Sequence, residues 1–323
     1  MAILRCFPWE SMSGEPFADY LNVTTPRENE EGMREALVPL LDAAGTFEEV
    51  QPGRFQFYDV KFERGKLVPI PDGAIHFKRR GAVSVVSASG AVLRRFRMRN
   101  LFAEYLAVLA SFPHRVSMLH VTADYLVPSP PDVVAEVKKA AQSGALALTR
   151  KKLLPSQCTY LLGADVDGKE TGTVYLGQRS NADVWAKIYD KRHERLSRGY
   201  ADPGSLVRVE VAVQSDVGAT LRDVAQPRDI FFHFAGRSLV IAPPEFSGWV
   251  AHGEGYVLGE RRERTLFERM ESLISNSLDV ARLGAMALVL YGDTPEGASA
   301  IGRKVLRRGG SLDGAMPAGV GCA

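Results

Sequence analysis

Cysteine is scarce in this chain of 323 residues: there are three, Cys6, Cys158 and Cys322, far apart and in no C-x-x-C pair. Neither a disulfide framework nor a cysteine zinc site is expected, and a reducing cytoplasm fits. Long apolar runs are missing as well. The start, MAILRCFPWESM, lacks the apolar core and small-residue site of a signal peptide, and the stretch from Leu283 to Tyr291 is too short to cross a bilayer. A soluble protein with no membrane partner is expected. Nor does one sign of charge dominate: Lys+Arg 40 against Asp+Glu 38 leaves +2, so bulk charge alone implies no nucleic-acid partner. The segment Gly297 to Lys304 mimics a phosphate-binding loop but lacks its Gly-Lys-Ser/Thr ending, so no ATP site is expected. His114 and His120 are too far apart for a His-hydrophobic-His metal motif.

What is present is a run of strand and helix signals without strict alternation. An acidic helix is expected over Pro26–Ala44, with Met33, Leu37, Leu40 and Leu41 at helical spacing. Segments 54–62 and 81–93 read as strands from their Val, Phe and Tyr content. Residues 99–112 read as a helix, Val116–Val127 as a strand stopped by prolines, and 131–142 as a helix. Further strands are expected at 158–163, 171–177, 183–190 and 205–214. The pattern predicts an α+β fold with a mostly antiparallel central sheet flanked by helices, over residues 1–240, and a helical C-terminal extension. In that extension, 245–310, Arg261–Leu283 is amphipathic and Thr294-Pro295-Glu296 starts a second helix; 311–323 is expected to be disordered. Arg303, Lys304, Arg307 and Arg308 suit either a DNA-binding or dimerising cap or a solvated helix end.

Two local basic patches stand out: Lys78-Arg79-Arg80, and Arg94, Arg95, Arg97 and Arg99 interleaved with Phe96 and Phe102. Cations beside rings suit single-stranded nucleic acid, where phosphates pair with charge and bases stack. Charge runs taken alone favour the plainer reading, a solvated face over core aromatics.

Three strands place polar groups where chemistry is possible. Side chains alternate along a strand, so Val207, Val209, Val211 and Val213 form one face and Arg208, Glu210, Ala212 and Gln214 the other. Likewise His120, Thr122 and Asp124 share a face. If the two strands are neighbours, His120, Asp124 and Glu210 can converge on one ion, a mixed O/N set suited to Mg²⁺ or Mn²⁺. In a strand over 184–191, Lys187, Tyr189 and Lys191 share a face; two cations beside a tyrosine would favour its phenolate and neutralise a phosphate under attack.

The run G-T-V-Y-L-G-Q-R-S at 172–180, then I-Y-D-K-x-x-E at 188–194, then V-R-V-E-V at 207–211, resembles the replication initiation factor family of rolling-circle plasmids and filamentous phages. The opening F-A-D-Y-L-N-V-T and the segment S-M-L-H-V-T-A-D resemble further family elements, and the likeness spans roughly residues 15–240. The N-terminal and 172–210 segments lie nearer the phage branch. The resemblance implies that Tyr189 attacks the origin phosphodiester, with Lys191 beside it. It also implies that Glu210, Asp124 and His120 hold Mg²⁺ or Mn²⁺. Met118 and His120 depart from the family pattern, standing where arginine and aspartate are usual. Arg179, Lys187 and Arg208, with Lys78, Arg79, Arg94 and Arg95, are the expected DNA contacts; Glu194 is a further ligand or an ion-pair partner. The expected reaction is a transesterification that leaves a 5′-phosphotyrosyl link and a free 3′-OH and later rejoins the strand. The expected partners are single-stranded or extruded origin DNA, a host helicase and polymerase, and a second copy in a homodimer. The competing readings are a non-catalytic origin or promoter regulator of the same fold, and an unrelated metal-dependent hydrolase.

Overall fold

The computed structural model describes residues 15–63, 66–148, 153–164, 168, 170–177, 183–200, 202–236 and 239. The helices expected after residue 245, the tail, Arg179, Cys6 and Cys322 lie outside the described residues. The chain divides into two units, and all the described residues belong to the first, Met1–Arg261.

Ten strands form one sheet: β1 (Phe17–Pro26), β2 (Phe47–Gln51), β3 (Arg54–Glu63), β4 (Lys66–Arg80), β5 (Val83–Ser89), β6 (Arg115–Leu126), β7 (Cys158–Ala164), β8 (Glu170–Leu176), β9 (Val184–Asp190) and β10 (Leu206–Gln214). Their order is β2-β3-β4-β5-β1-β6-β10-β9-β8-β7, and every pairing is antiparallel. Two meanders thus flank a central pair, and the first strand of the chain is one of that pair. The helices are α1 (Glu30–Ala44), α2 (Gly90–Met98), α3 (Phe102–Ala110), α4 (Pro130–Gln142), α5 (Lys191–Ser197), α6 (Leu221–Ala225) and α7 (Arg228–Ala235). The expected α+β class is therefore observed. Among the described residues no helix is long and apolar enough to cross a membrane.

One face of the sheet carries the core. Leu21, Val23, Ile75, Phe57, Val121, Ile188 and the four valines of β10 are buried there in one cluster. They meet Met33, Leu37 and Leu41 of α1, Val92, Leu93 and Phe96 of α2, and Val133 and Val137 of α4. Alternation then leaves the polar sides of β6, β9 and β10 on the opposite face.

The expected strand over 81–93 needs correction. It stops at Ser89, and Gly90 opens α2, whose Val92, Leu93 and Phe96 have helical spacing. A Cβ on Gly90 would lie 2.2 Å from Asp19 Oδ1 and 2.5 Å from the Asp19 carbonyl oxygen, so only glycine fits where the turn meets β1. The fifteen-residue β4 was not anticipated. Pro69 and Pro71 interrupt its pattern, and the pairing with β3 absorbs them next to a register shift between Gln56 and Tyr58.

Candidate active site

The pairing registers stack polar side chains in three rungs on the second face. Asp124, Arg208, Tyr189 and Thr173 face one another across β6, β10, β9 and β8. The next rung is Thr122, Glu210, Lys187 and Tyr175. The third runs Tyr20, His120, Ala212 and Trp185, across β1, β6, β10 and β9. The strand readings of 116–127, 183–190 and 205–214 thus place their polar residues together.

Each charge on these rungs has a partner. Arg208 donates to both oxygens of Asp124, Nε to Oδ1 at 2.6 Å and a terminal nitrogen to Oδ2 at 2.7 Å. Its other terminal nitrogen reaches Asp19 Oδ2 at 3.3 Å, and the guanidinium stacks over Phe17 at 5.5 Å. Glu210 is gripped from two sides, with His120 Nδ1 2.8 Å from Oε1 and Lys187 Nζ 2.9 Å from Oε2. Burial would raise the Glu210 carboxyl, but hydrogen bonding from His120 and the charge of Lys187 outweigh it and bring it down to about 2. Burial alone would lower Arg208, but the Asp124 carboxylate more than offsets it and holds the guanidinium firmly charged.

Asp19 was not singled out from the sequence. It is the extra residue of a β-bulge, since Ala18 pairs with Val121 and Tyr20 with His120. The bulge turns its carboxylate to the polar face toward Arg208. Burial raises the Asp19 carboxyl above its ordinary value, with Arg208 acting against the rise.

Tyr189 lies between Lys187, whose Nζ is 5.2 Å from the ring centroid, and Lys191, at 5.7 Å. The strand stops at Asp190, so Lys191 meets the ring from the first position of α5 rather than from a strand. Asp190, 4% exposed, makes this corner. Its Oδ1 accepts from His193 N at 2.9 Å as the N-cap of α5, and its Oδ2 accepts from Thr171 Oγ1 at 3.2 Å. Glu194 pairs with Lys191 and with Arg198, so of its two expected roles it fills that of ion-pair partner.

Two expectations change here. The cations do not favour the Tyr189 phenolate in this state: the residue is only 8% exposed, and burial pushes the phenol well above its ordinary value despite Arg208. Burial also lowers Lys191, helped by Arg208. Nor do His120, Asp124 and Glu210 converge. Among the described residues no group of three or more His, Cys, Asp or Glu side chains is placed to hold a metal ion. Asp124 sits one rung from Glu210 and is drawn to Arg208, a pairing that strand alternation alone does not reveal. One of the three, His120, fits better. His120 Nδ1 is set against Glu210 while its Nε2 is buried without a hydrogen-bond partner among the described residues, as in a ligating imidazole oriented by a carboxylate. Tyr20 and Trp185 pack the ring, at centroid distances of 5.0 and 5.2 Å.

The basic patches divide. Lys78 lies on the polar face; Arg79 points the other way and ion-pairs with Glu30, its Nε donating at 3.0 and 3.1 Å. Arg95 donates to Asp72 Oδ2 at 2.7 Å and stacks over Phe57 at 5.2 Å, and Arg94 stands 3.6 Å from the same carboxylate. Phe96 is fully buried against Tyr105, at 4.7 Å, and Phe102 lies under Arg97. Phe96 and Arg95 thus serve the fold, while Arg94 and Arg99 keep exposed side chains.

No family model and no curated protein matches the chain. One solved structure it is similar to is that of a rolling-circle replication initiator protein from Geobacillus stearothermophilus, at 15% identity and a TM-score of 0.36, over 62% of this chain and 75% of that one.

Proposed function

We propose that this chain is a DNA strand-nicking and joining enzyme that starts rolling-circle replication, with Tyr189 as nucleophile. The observation that carries the reading is one tyrosine on a polar sheet face, flanked by Lys187 and Lys191 and opposite Arg208, in the segments that resemble initiators. A phosphodiester entering this site replaces acidic partners already held by the three cations. Lys187 turns from Glu210, Lys191 from Glu194, and Arg208 shares its fork between Asp124 and a non-bridging oxygen. Arrival of DNA also brings charge that favours these cations, so the Lys191 ammonium regains its ordinary basicity.

In the reaction the Tyr189 oxygen forms a bond to phosphorus, and the bond to the 3′-oxygen breaks. The phenol loses its proton and the leaving oxygen gains one. The ester keeps the bond energy, so the reverse reaction rejoins the strand without ATP. Mg²⁺ or Mn²⁺ belongs to this proposal through His120 Nε2, with Glu210 orienting the ring from Nδ1; Glu210 and Asp124 would themselves ligate only if His120 and Lys187, and Arg208, released them. Such an ion supplies polarisation of a non-bridging phosphate oxygen. Single-stranded or extruded origin DNA, a host helicase and polymerase, and a host-cell cytoplasm complete the reading.

A second reading has an observation of its own. Asp124 and Glu210 are saturated by cations and Tyr189 is buried, which suits a DNA-binding regulator that does not cleave. A denaturing gel decides between them. Protein, either metal and labelled oligonucleotides from its own replicon are expected to give a denaturant-resistant adduct that Tyr189→Phe abolishes. DNA binding with no adduct in any metal supports the regulator.

A further inference from the structure

The polar face extends well beyond Tyr189. Along β4, His76, Lys78 and Arg80 alternate with the core-facing Ile75 and Phe77 and with Arg79. Arg54 of β3 stands directly opposite His76. Rungs join this row to the strands of the site: Lys78 to Val85, Thr24 and Arg115, and His76 to Ser87, Asn22, Met118 and Gln214. The next rung already contains Tyr20, His120 and Trp185. No carboxylate interrupts the Lys78 rung, and on the His76 rung Asp183 comes only at the far end, beyond Gln214. Lys78 and Arg80 are exposed and have no acidic partner among the described residues, and Arg54 bonds only to the Gln56 amide, at 3.4 Å. The crowding of cations shows at His76, which burial, Lys78 and Arg54 together hold below its ordinary value. On the opposite face Arg79 is neutralised by Glu30.

We propose that Arg54, Lys78 and Arg80 form a phosphate track for single-stranded DNA that continues from Tyr189. The inference rests on the DNA-nicking reading and adds where the strand runs. Five strand spacings separate β4 from β9. At about 4.8 Å each, with about 26 Å along the strands to the Lys78 rung, the track begins about 35 Å from the tyrosine. A short oligonucleotide centred on the scissile phosphate does not reach it; a long one does.

The test uses the full chain and fluorescently labelled single strands of about 8 and about 30 nucleotides, titrated between about 50 and 200 mM salt. The variant is Arg54→Gln with Lys78→Gln and Arg80→Gln; Arg99→Gln with Lys139→Gln is the control on the helical side. Three lost phosphate contacts are expected to reduce the salt slope for the long strand by about 2 and its affinity at least tenfold. Binding of the short strand, adduct formation on it and the control variant remain as in wild type. If the adduct forms but long-strand binding ignores the three substitutions, or falls equally in the control, the track is overturned and the nicking reading stands. Binding of neither strand by wild type overturns both.

Discussion

Arg208 holds Asp124 by both carboxylate oxygens, at 2.6 and 2.7 Å, across one rung of the sheet, and leaves its remaining nitrogen for Asp19. The bidentate fork fixes the cation that stands opposite Tyr189. Asp124→Asn breaks one arm of the fork and leaves a partly buried guanidinium under-neutralised. A loss of about 1–3 kcal/mol is expected. It is read as a lower denaturant midpoint at unchanged slope, and in a double-mutant cycle with Arg208→Gln the two losses do not add. Additive losses, or none, contradict the pairing.

The Glu210 carboxyl, ordinarily near 4.5, is brought down to about 2 in the folded chain. A depressed folded value means that the group stabilises the fold above its unfolded pKa and that this contribution is lost as pH falls through the folded value. Unfolding free energy is expected to drop between about pH 4.5 and about 2, by up to about 3 kcal/mol from this residue. Denaturant titrations across that window are expected to show a flatter acid limb in Glu210→Gln. An identical limb in both proteins is the contrary result.

Asp190 ties α5 to the end of β9 and so sets Lys191 over the Tyr189 ring. Asn caps a helix about as well as Asp, whereas Ala costs about 0.5–2 kcal/mol. Asp190→Asn is expected to keep both thermal stability and adduct rate. Asp190→Ala is expected to lower both, with the rate falling even at a temperature where the variant is fully folded. Equal rates in Asn and Ala variants contradict this positioning role.

Strand alternation made much of this arrangement legible. It assigns Arg208 and Glu210, and His120 and Asp124, to one side of their strands, and the four valines of β10 to the other. The same rule applied to Lys78 and Arg79 separates them, yet as a charge run they read as one patch. Partners were not legible. Alternation says which face a carboxylate is on, and only the register between distant strands tells that Asp124 meets Arg208 rather than a shared ion. Asp19 stayed hidden because a bulge shifts the period by one, and α2 because Val92, Leu93 and Phe96 follow a β-like run with only Gly90 to mark the change. The burial of Tyr189 has no signal in its neighbours Lys187 and Lys191, which read as exposed charge.

The central claim is that Tyr189 takes the DNA strand. Trypsin cleaves after Lys187 and after Lys191, so the nucleophile lies alone in the peptide Ile188–Lys191. Wild-type protein reacted with its replicon's single strand, nuclease-trimmed and digested, is expected to yield this peptide with a nucleotide attached through phosphate. Mass spectrometry reads it, and Tyr189→Phe is expected to give neither the modified peptide nor any adduct. A nucleotide found on another tyrosine, such as Tyr175 or Tyr200, or an adduct that survives in Tyr189→Phe, contradicts the account.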